Sequence, residues 1–135
     1  MSGEDRQAAT RRRTRLPRAA EAVAGARTFA RESVEAWGLA APEDLALLTS
    51  EVFSNAVEHT TTRDIGMEVW QAGHCVHVEV GDDDPRHPVL VQLDPAAPGG
   101  LGLALIDGLA ARWGVRDVPG DGKRVWFELE LPGTG

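Results

Sequence analysis

The chain has one cysteine, one lysine and no apolar run of the roughly 20 residues that span a bilayer. Each shortage excludes something. A lone Cys75 cannot close an internal disulfide and fits a reducing cytoplasm. Without a long apolar run there is no candidate transmembrane helix. The opening MSGEDRQAATRRRTR carries arginines with no apolar segment behind them, so it does not read as a secretory leader. There is no internal repeat and no second domain. At 135 residues and 42% apolar content, the expectation is one globular domain able to bury a core without staples. Thirteen arginines stand against the single Lys123, which carries no functional reading.

Charge is unevenly placed. Six of the 14 basic residues (Arg6, Arg11, Arg12, Arg13, Arg15, Arg18) fall in the first 18 positions, opposed only by Glu4 and Asp5. From position 19 onward, 8 basic and 19 acidic residues leave a balance of −11, which argues against a broad nucleic-acid surface. Residues 1–15 read as a polar, flexible, basic tail, and 16–135 as the folded domain.

From Pro17 to Trp37, alanines with Leu16, Val23, Phe29 and Val34 predict a first helix stopped at Gly38. Pro42, Glu43 and Asp44 suit the first turn of a second helix, whose buried face is set by Leu45, Leu48, Val52 and Ala56. Ile65–Gln71 and Cys75–Val80 alternate in part around Ala-Gly and read as a β-hairpin. An irregular stretch follows at 81–100. Leu101–Arg112 predicts a third helix, and Gly114–Val118 with Arg124–Leu131 predicts two strands joined by PGDGK. This order suits an α+β two-layer sandwich, with helices on one face of a mainly antiparallel, mixed sheet.

Three features carry candidate chemistry. In EVFSNAVEHT, Glu51, Asn55 and His59 recur at four-residue steps, about 100° from Val52 and so bordering the buried face. Such a stripe either lines a pocket or is solvated at the rim. If it lines a pocket, a carboxylate and an amide supply a general base and an oxygen ligand for Mg²⁺. The second feature is Gly99-Gly100-Leu101-Gly102-Leu103, opening an apolar helix. Glycine is costly inside a helix, so its clustering at the start suits either a turn or a phosphate approaching free amides. No Walker lysine follows, and no strand precedes as in a Rossmann fingerprint. The third is VEVGDDDPRHP, where Asp82 follows an alternating strand and is placed either in solvent or in a cleft, accepting from an amino group. His74, Cys75 and His77 are not read as a metal site, because on a strand His74 faces away from the other two.

Taken in order, these features resemble the Bergerat-fold (GHKL, histidine kinase-like) ATPases, and within them the small bacterial anti-sigma-factor serine/threonine kinase type. TSEVFSNAVEHT is similar to that family's N-box, E-x-x-x-N-A-x-x-H, and GGLGLALIDGLAARWGV to its glycine box. The closing GKRVWFELELP also looks like the family's last strand, and the resemblance covers about residues 16–132.

The resemblance implies ATP and Mg²⁺ as cofactors. Asn55 would hold the Mg²⁺ and Glu51 would be the general base. Asp82, or its neighbour Asp83, would accept from the adenine amine. Gly100 and Gly102, with the amides of Leu101 and Leu103, would cradle phosphate under a lid at 86–99, and His59 would cap the helix or buttress the pocket. The implied partner is a STAS-domain anti-anti-sigma factor, a sigma factor, or both, with a homodimer expected from the same likeness and neither nucleic acid nor membrane contacted directly. One departure stands out. Asp84 and Arg86 occupy the places of the family's D-x-G-x-G glycines. That keeps open an alternative role as a nucleotide-responsive module that sequesters its partner with little catalysis.

Overall fold

The structure is a computed structural model and describes residues 10–60, 62–82, 101–118 and 122–133. In chain order it holds β1 (Arg12–Pro17), a 3-10 turn at Ala20–Ala22, α1 (Val23–Ala36) and α2 (Leu45–His59). These are followed by β2 (Asp64–Ala72), β3 (Cys75–Asp82), α3 (Leu101–Leu109), β4 (Arg112–Val118) and β5 (Gly122–Glu130). The five strands form one sheet in the order β1-β2-β3-β5-β4, and all four pairings are antiparallel. The α+β sandwich expected from the sequence is therefore present, with no parallel strand pair among the described residues. No described helix is long and apolar enough to cross a membrane.

The first correction concerns the basic segment. Arg12–Arg15 do not lie in a tail. They belong to an edge strand that runs in register with β2, from Arg12 opposite Val69 to Pro17 opposite Asp64. The backbone N–H of Gln71 extends this edge by donating to the Thr10 hydroxyl at 3.0 Å. Because Leu16 and Pro17 are spent on the strand, the first helix starts at Val23 rather than at Pro17. An edge strand tolerates proline, since one side of its ladder is unpaired.

The helix ends follow local chemistry. After α1, Gly38 adopts φ +78, and the Leu39 N–H reaches back to Val34 O at 3.3 Å. This left-handed cap satisfies a terminal carbonyl and turns Leu39 onto the core. Pro42 and Glu43 precede α2, and Asp44 takes its N-cap position. The third helix stops at Leu109, three residues short of the expected end, because the Ala111 N–H already donates to Glu128 O of β5 at 2.8 Å. In the β2–β3 hairpin, Gly73 at φ +60 supplies the left-handed position that a two-residue turn demands. His74 is the other turn residue, and its carbonyl accepts the Leu131 N–H at 2.8 Å.

Strand alternation divides the sheet. On the helix side, Ile65, Met67 and Val69 of β2, Val76, Val78 and Val80 of β3, and Val125, Phe127 and Leu129 of β5 are buried. They meet Ala26, Ala30 and Val34 of α1, Leu45, Leu48, Val52, Phe53 and Ala56 of α2, and Leu103 and Ile106 of α3 in one continuous core. Each large side chain removed from water there contributes about 1.5–3 kcal/mol. The central helix α2 packs against α1 and α3, and over β3 and β5. Among the described residues no helix lies over the opposite face of the sheet, yet Glu68, His77, Glu79, Arg124 and Glu128 on that face are buried. Their own side chains cover them.

Candidate functional site

The site is built on the border of α2. Leu48, Val52, Phe53 and Ala56 fix the rotation of the helix by burying one stripe of it. Glu51 and Asn55, one turn apart beside that stripe, are left half-buried at the edge of the core. Neither side chain makes a hydrogen bond or ion pair to another described residue. A half-buried carboxylate and carboxamide with no protein partner have donor and acceptor capacity left for a ligand. The turn before them is pinned: Arg27 of α1 donates to the Ser50 hydroxyl at 3.1 Å, and Ser50 donates to Ala46 O at 2.8 Å.

The remaining sequence candidates fall out as follows. His59 is the last residue of α2, 41% exposed, with Nε2 4.0 Å from the Glu58 carboxylate. It stands at the rim, one turn beyond Asn55. Leu103 is buried in the core, so only its backbone is available to a ligand. Leu101 and Gly102 form the opening of α3, a nine-residue helix whose first amides have no intrahelical acceptor. Asp82 closes β3, its backbone paired with Ile65 of β2. Asp83, Asp84, Arg86, Gly99, Gly100 and the proposed lid lie outside the described residues. The contact of α2 with α3 and with β3 thus makes three of the candidate segments neighbours.

The family model of the histidine kinase-like ATPase domain matches residues 16–129, nearly the whole folded part of the chain. The chain belongs to the histidine kinase-like ATPase family. No curated protein matches it by sequence. Membership makes this an ATP-binding domain of regulatory type, and such domains ordinarily take Mg²⁺ with the nucleotide. The residues present fit that group. Asn55 offers a hard oxygen of the kind Mg²⁺ takes, and Glu51 a carboxylate beside it, both uncommitted among the described residues.

The glycine-box sequence WG also acquires a structural reason in this histidine kinase-like ATPase. Trp113 lies against the core and donates from Nε1 to Asp107 of α3 at 2.8 Å, tying the helix end to β4. Gly114 faces the other way, opposite Trp126, whose indole lies so close that an added Cβ would meet it at 3.0 Å.

Sequence reasoning missed a second constellation, on the helix-free face. His77 Nδ1 lies 2.7 Å from Glu128, and Nε2 lies 2.9 Å from Glu79. Each ring nitrogen thus faces a carboxylate oxygen. Arg116 completes the shell of Glu79 at 2.8 Å, and Arg112 pairs with Glu128. Trp70 stacks on one side of the imidazole at 4.0 Å between centroids, and Trp126 on the other at 5.1 Å. Burial pushes the Glu79 carboxyl up, but the hydrogen bonds and charges of His77 and Arg116 outweigh it and hold the group below the ordinary glutamate value. Burial, with the charges of Glu128 and Glu130 against Arg112, pushes the Cys75 thiol up. His74 is in the turn and both nitrogens of His77 are engaged, so the His74, Cys75, His77 trio is not assembled. The available signal was period-two alternation: Trp70, His77, Glu79, Trp126 and Glu128 all fall in the non-core phase of their strands.

Proposed function

We propose that the protein is an ATP- and Mg²⁺-dependent serine/threonine kinase of the anti-sigma-factor type, acting on a STAS-domain anti-anti-sigma partner. One observation carries this reading. Glu51 and Asn55 lie on successive turns of α2, half-buried and without a protein partner among the described residues, on a chain that belongs to an ATP-binding family. Asn55 would hold the metal through its carboxamide oxygen, and Mg²⁺ would supply neutralisation of charge on the transferring phosphoryl group. Glu51 would take the proton of the partner's hydroxyl as its oxygen bonds to the terminal phosphorus, with ADP as the leaving group. Asp82 would accept from the adenine amine, and the opening amides of α3 would face phosphate.

The test is transfer of label from [γ-³²P]ATP to candidate STAS-domain proteins. Transfer is expected with the unaltered protein and is lost in Glu51→Ala and Asn55→Ala. Undiminished transfer in either variant overturns the assigned role. A second reading, sequestration of a sigma factor or other partner with little catalysis, is favoured by Asp84 and Arg86 in place of adenine-box glycines. Added carboxylate beside a polyanion weakens its binding. Calorimetry with ATP, with and without Mg²⁺, separates the two: nucleotide binding without transfer to any partner supports sequestration.

A further inference from the structure

We infer that the helix-free face of the sheet is a docking surface for an acidic segment of another protein. Among the described residues this face carries six arginines, Arg11, Arg13, Arg15, Arg112, Arg116 and Arg124, against five carboxylates, Asp64, Glu68, Glu79, Glu128 and Glu130. It is therefore net positive on a chain whose formal charge is −7. The charges are also layered by depth. The side chains of Glu68, Glu79 and Glu128 are 11%, 2% and 8% exposed, whereas those of Arg13, Arg112 and Arg116 are 68%, 70% and 53% exposed. Each buried carboxylate holds the underside of a guanidinium and leaves its outer edge to solvent. An approaching molecule thus meets guanidinium groups first.

The layer is built to stay in place. Arg11 and Arg13 both lie 3.3 Å from Glu68, and Arg124 lies 3.6 Å from it. The Arg11 guanidinium also stacks on Trp70, 4.3 Å from the ring centroid. Holding a long side chain in advance lowers the entropy lost when it binds. Between Arg13, Arg15, Arg124 and Glu68, over Gly66, lies a hollow of about 370 Å³, room enough for side chains of a partner. Arg13 and Arg15 project from alternate positions of β1, about 6.7 Å apart, which is also the spacing of alternate side chains along an extended acidic segment.

Charge selects among occupants. A second copy laid face to face would set one guanidinium layer against another. A long polyanion such as nucleic acid would overrun the face and meet the remainder of the chain, where 8 basic and 16 acidic residues leave −8. A short acidic protein segment stays within the positive area.

The test uses the full chain with three probes at low salt: fluorescein-labelled poly-glutamate peptide, oligothymidylate of matched charge, and the protein alone in sedimentation. Saturable binding of the peptide is expected. It should weaken about tenfold in the Arg13→Gln/Arg15→Gln/Arg112→Gln variant and remain unchanged in Arg31→Gln, whose side chain lies on α1. On the unaltered protein, the indole N–H resonances of Trp70 and Trp126 should shift on adding peptide, while those of Trp37 and Trp113 stay. This second readout holds even if the triple variant does not fold. The inference is overturned by no peptide binding, by tighter binding of oligothymidylate, by shifts confined to Trp37 and Trp113, or by a dimer that the triple variant abolishes.

Discussion

Replacing Glu79 with glutamine tests whether the buried ion network contributes to stability or merely occupies space. The wild-type carboxylate accepts from His77 at 2.9 Å and from Arg116 at 2.8 Å, and its side chain is 2% exposed. Glutamine has nearly the same volume but only one acceptor oxygen. Its amide nitrogen must face one of the two donors, so one charge-assisted bond is lost and the other becomes a bond to a neutral group. At about 1.5–3 kcal/mol for a hydrogen bond to a charged group, the expected loss is about 3 kcal/mol at neutral pH. Urea unfolding followed by tryptophan emission should show a lower midpoint with an unchanged slope. The pH dependence gives a second check. Glu79 is held below its ordinary value, so its contribution is present above about pH 4.3 and is lost as pH falls through the lower folded-state value. The gap between wild type and variant should therefore narrow in acid. Equal midpoints at pH 7, or a gap that does not change with pH, would refute the reasoning.

Other expectations rest on single contacts. Gly81→Ala would place a Cβ 2.2 Å from Lys123 O and 2.9 Å from Arg124 Cα, both backbone, so β3 and β5 must part. Thermal melts should show a loss of about 2–3 kcal/mol. Gly114→Ala meets first the indole of Trp126, a side chain rather than backbone, and should cost less than Gly81→Ala in the same assay. Among the described residues the buried Thr49 hydroxyl has no partner, so Thr49→Val should stabilise by about 1 kcal/mol in urea titrations. Because burial raises the Cys75 thiol pKa, Ellman's reagent should react with it more slowly than with glutathione at pH 8, and faster as pH rises.

The elements legible in the sequence were those whose signal is local. The α2 stripe of Leu45, Leu48, Val52 and Ala56 fixes a helix without reference to anything else, and it delivers Glu51 and Asn55 to its border. Gly38 and Gly73 mark a helix end and a hairpin because only their own backbone angles are at issue. β1 was missed for the opposite reason. RRRTRL has almost no apolar signal, and the strand exists because β2 offers it a ladder some 50 residues away. Arg12, on the helix side, is accommodated by lying over the Phe29 ring at 5.3 Å. The His77 network was invisible for the same cause. Its decisive contact joins His77 to Glu128 across 51 residues, and no spacing rule reaches that far.

The strand order has a consequence for how this chain is made. β5, the last strand in sequence, lies between β3 and β4 in the sheet. During synthesis β1, β2, β3 and the first two helices emerge early and can assemble, but β3 then presents an open edge bearing Val76, Val78 and Val80. Gly122–Glu130 are still inside the ribosomal exit tunnel at that stage. The sheet closes only once β5 has left the tunnel, and until then the nascent chain carries β3 as an unpaired edge prone to wrong pairing.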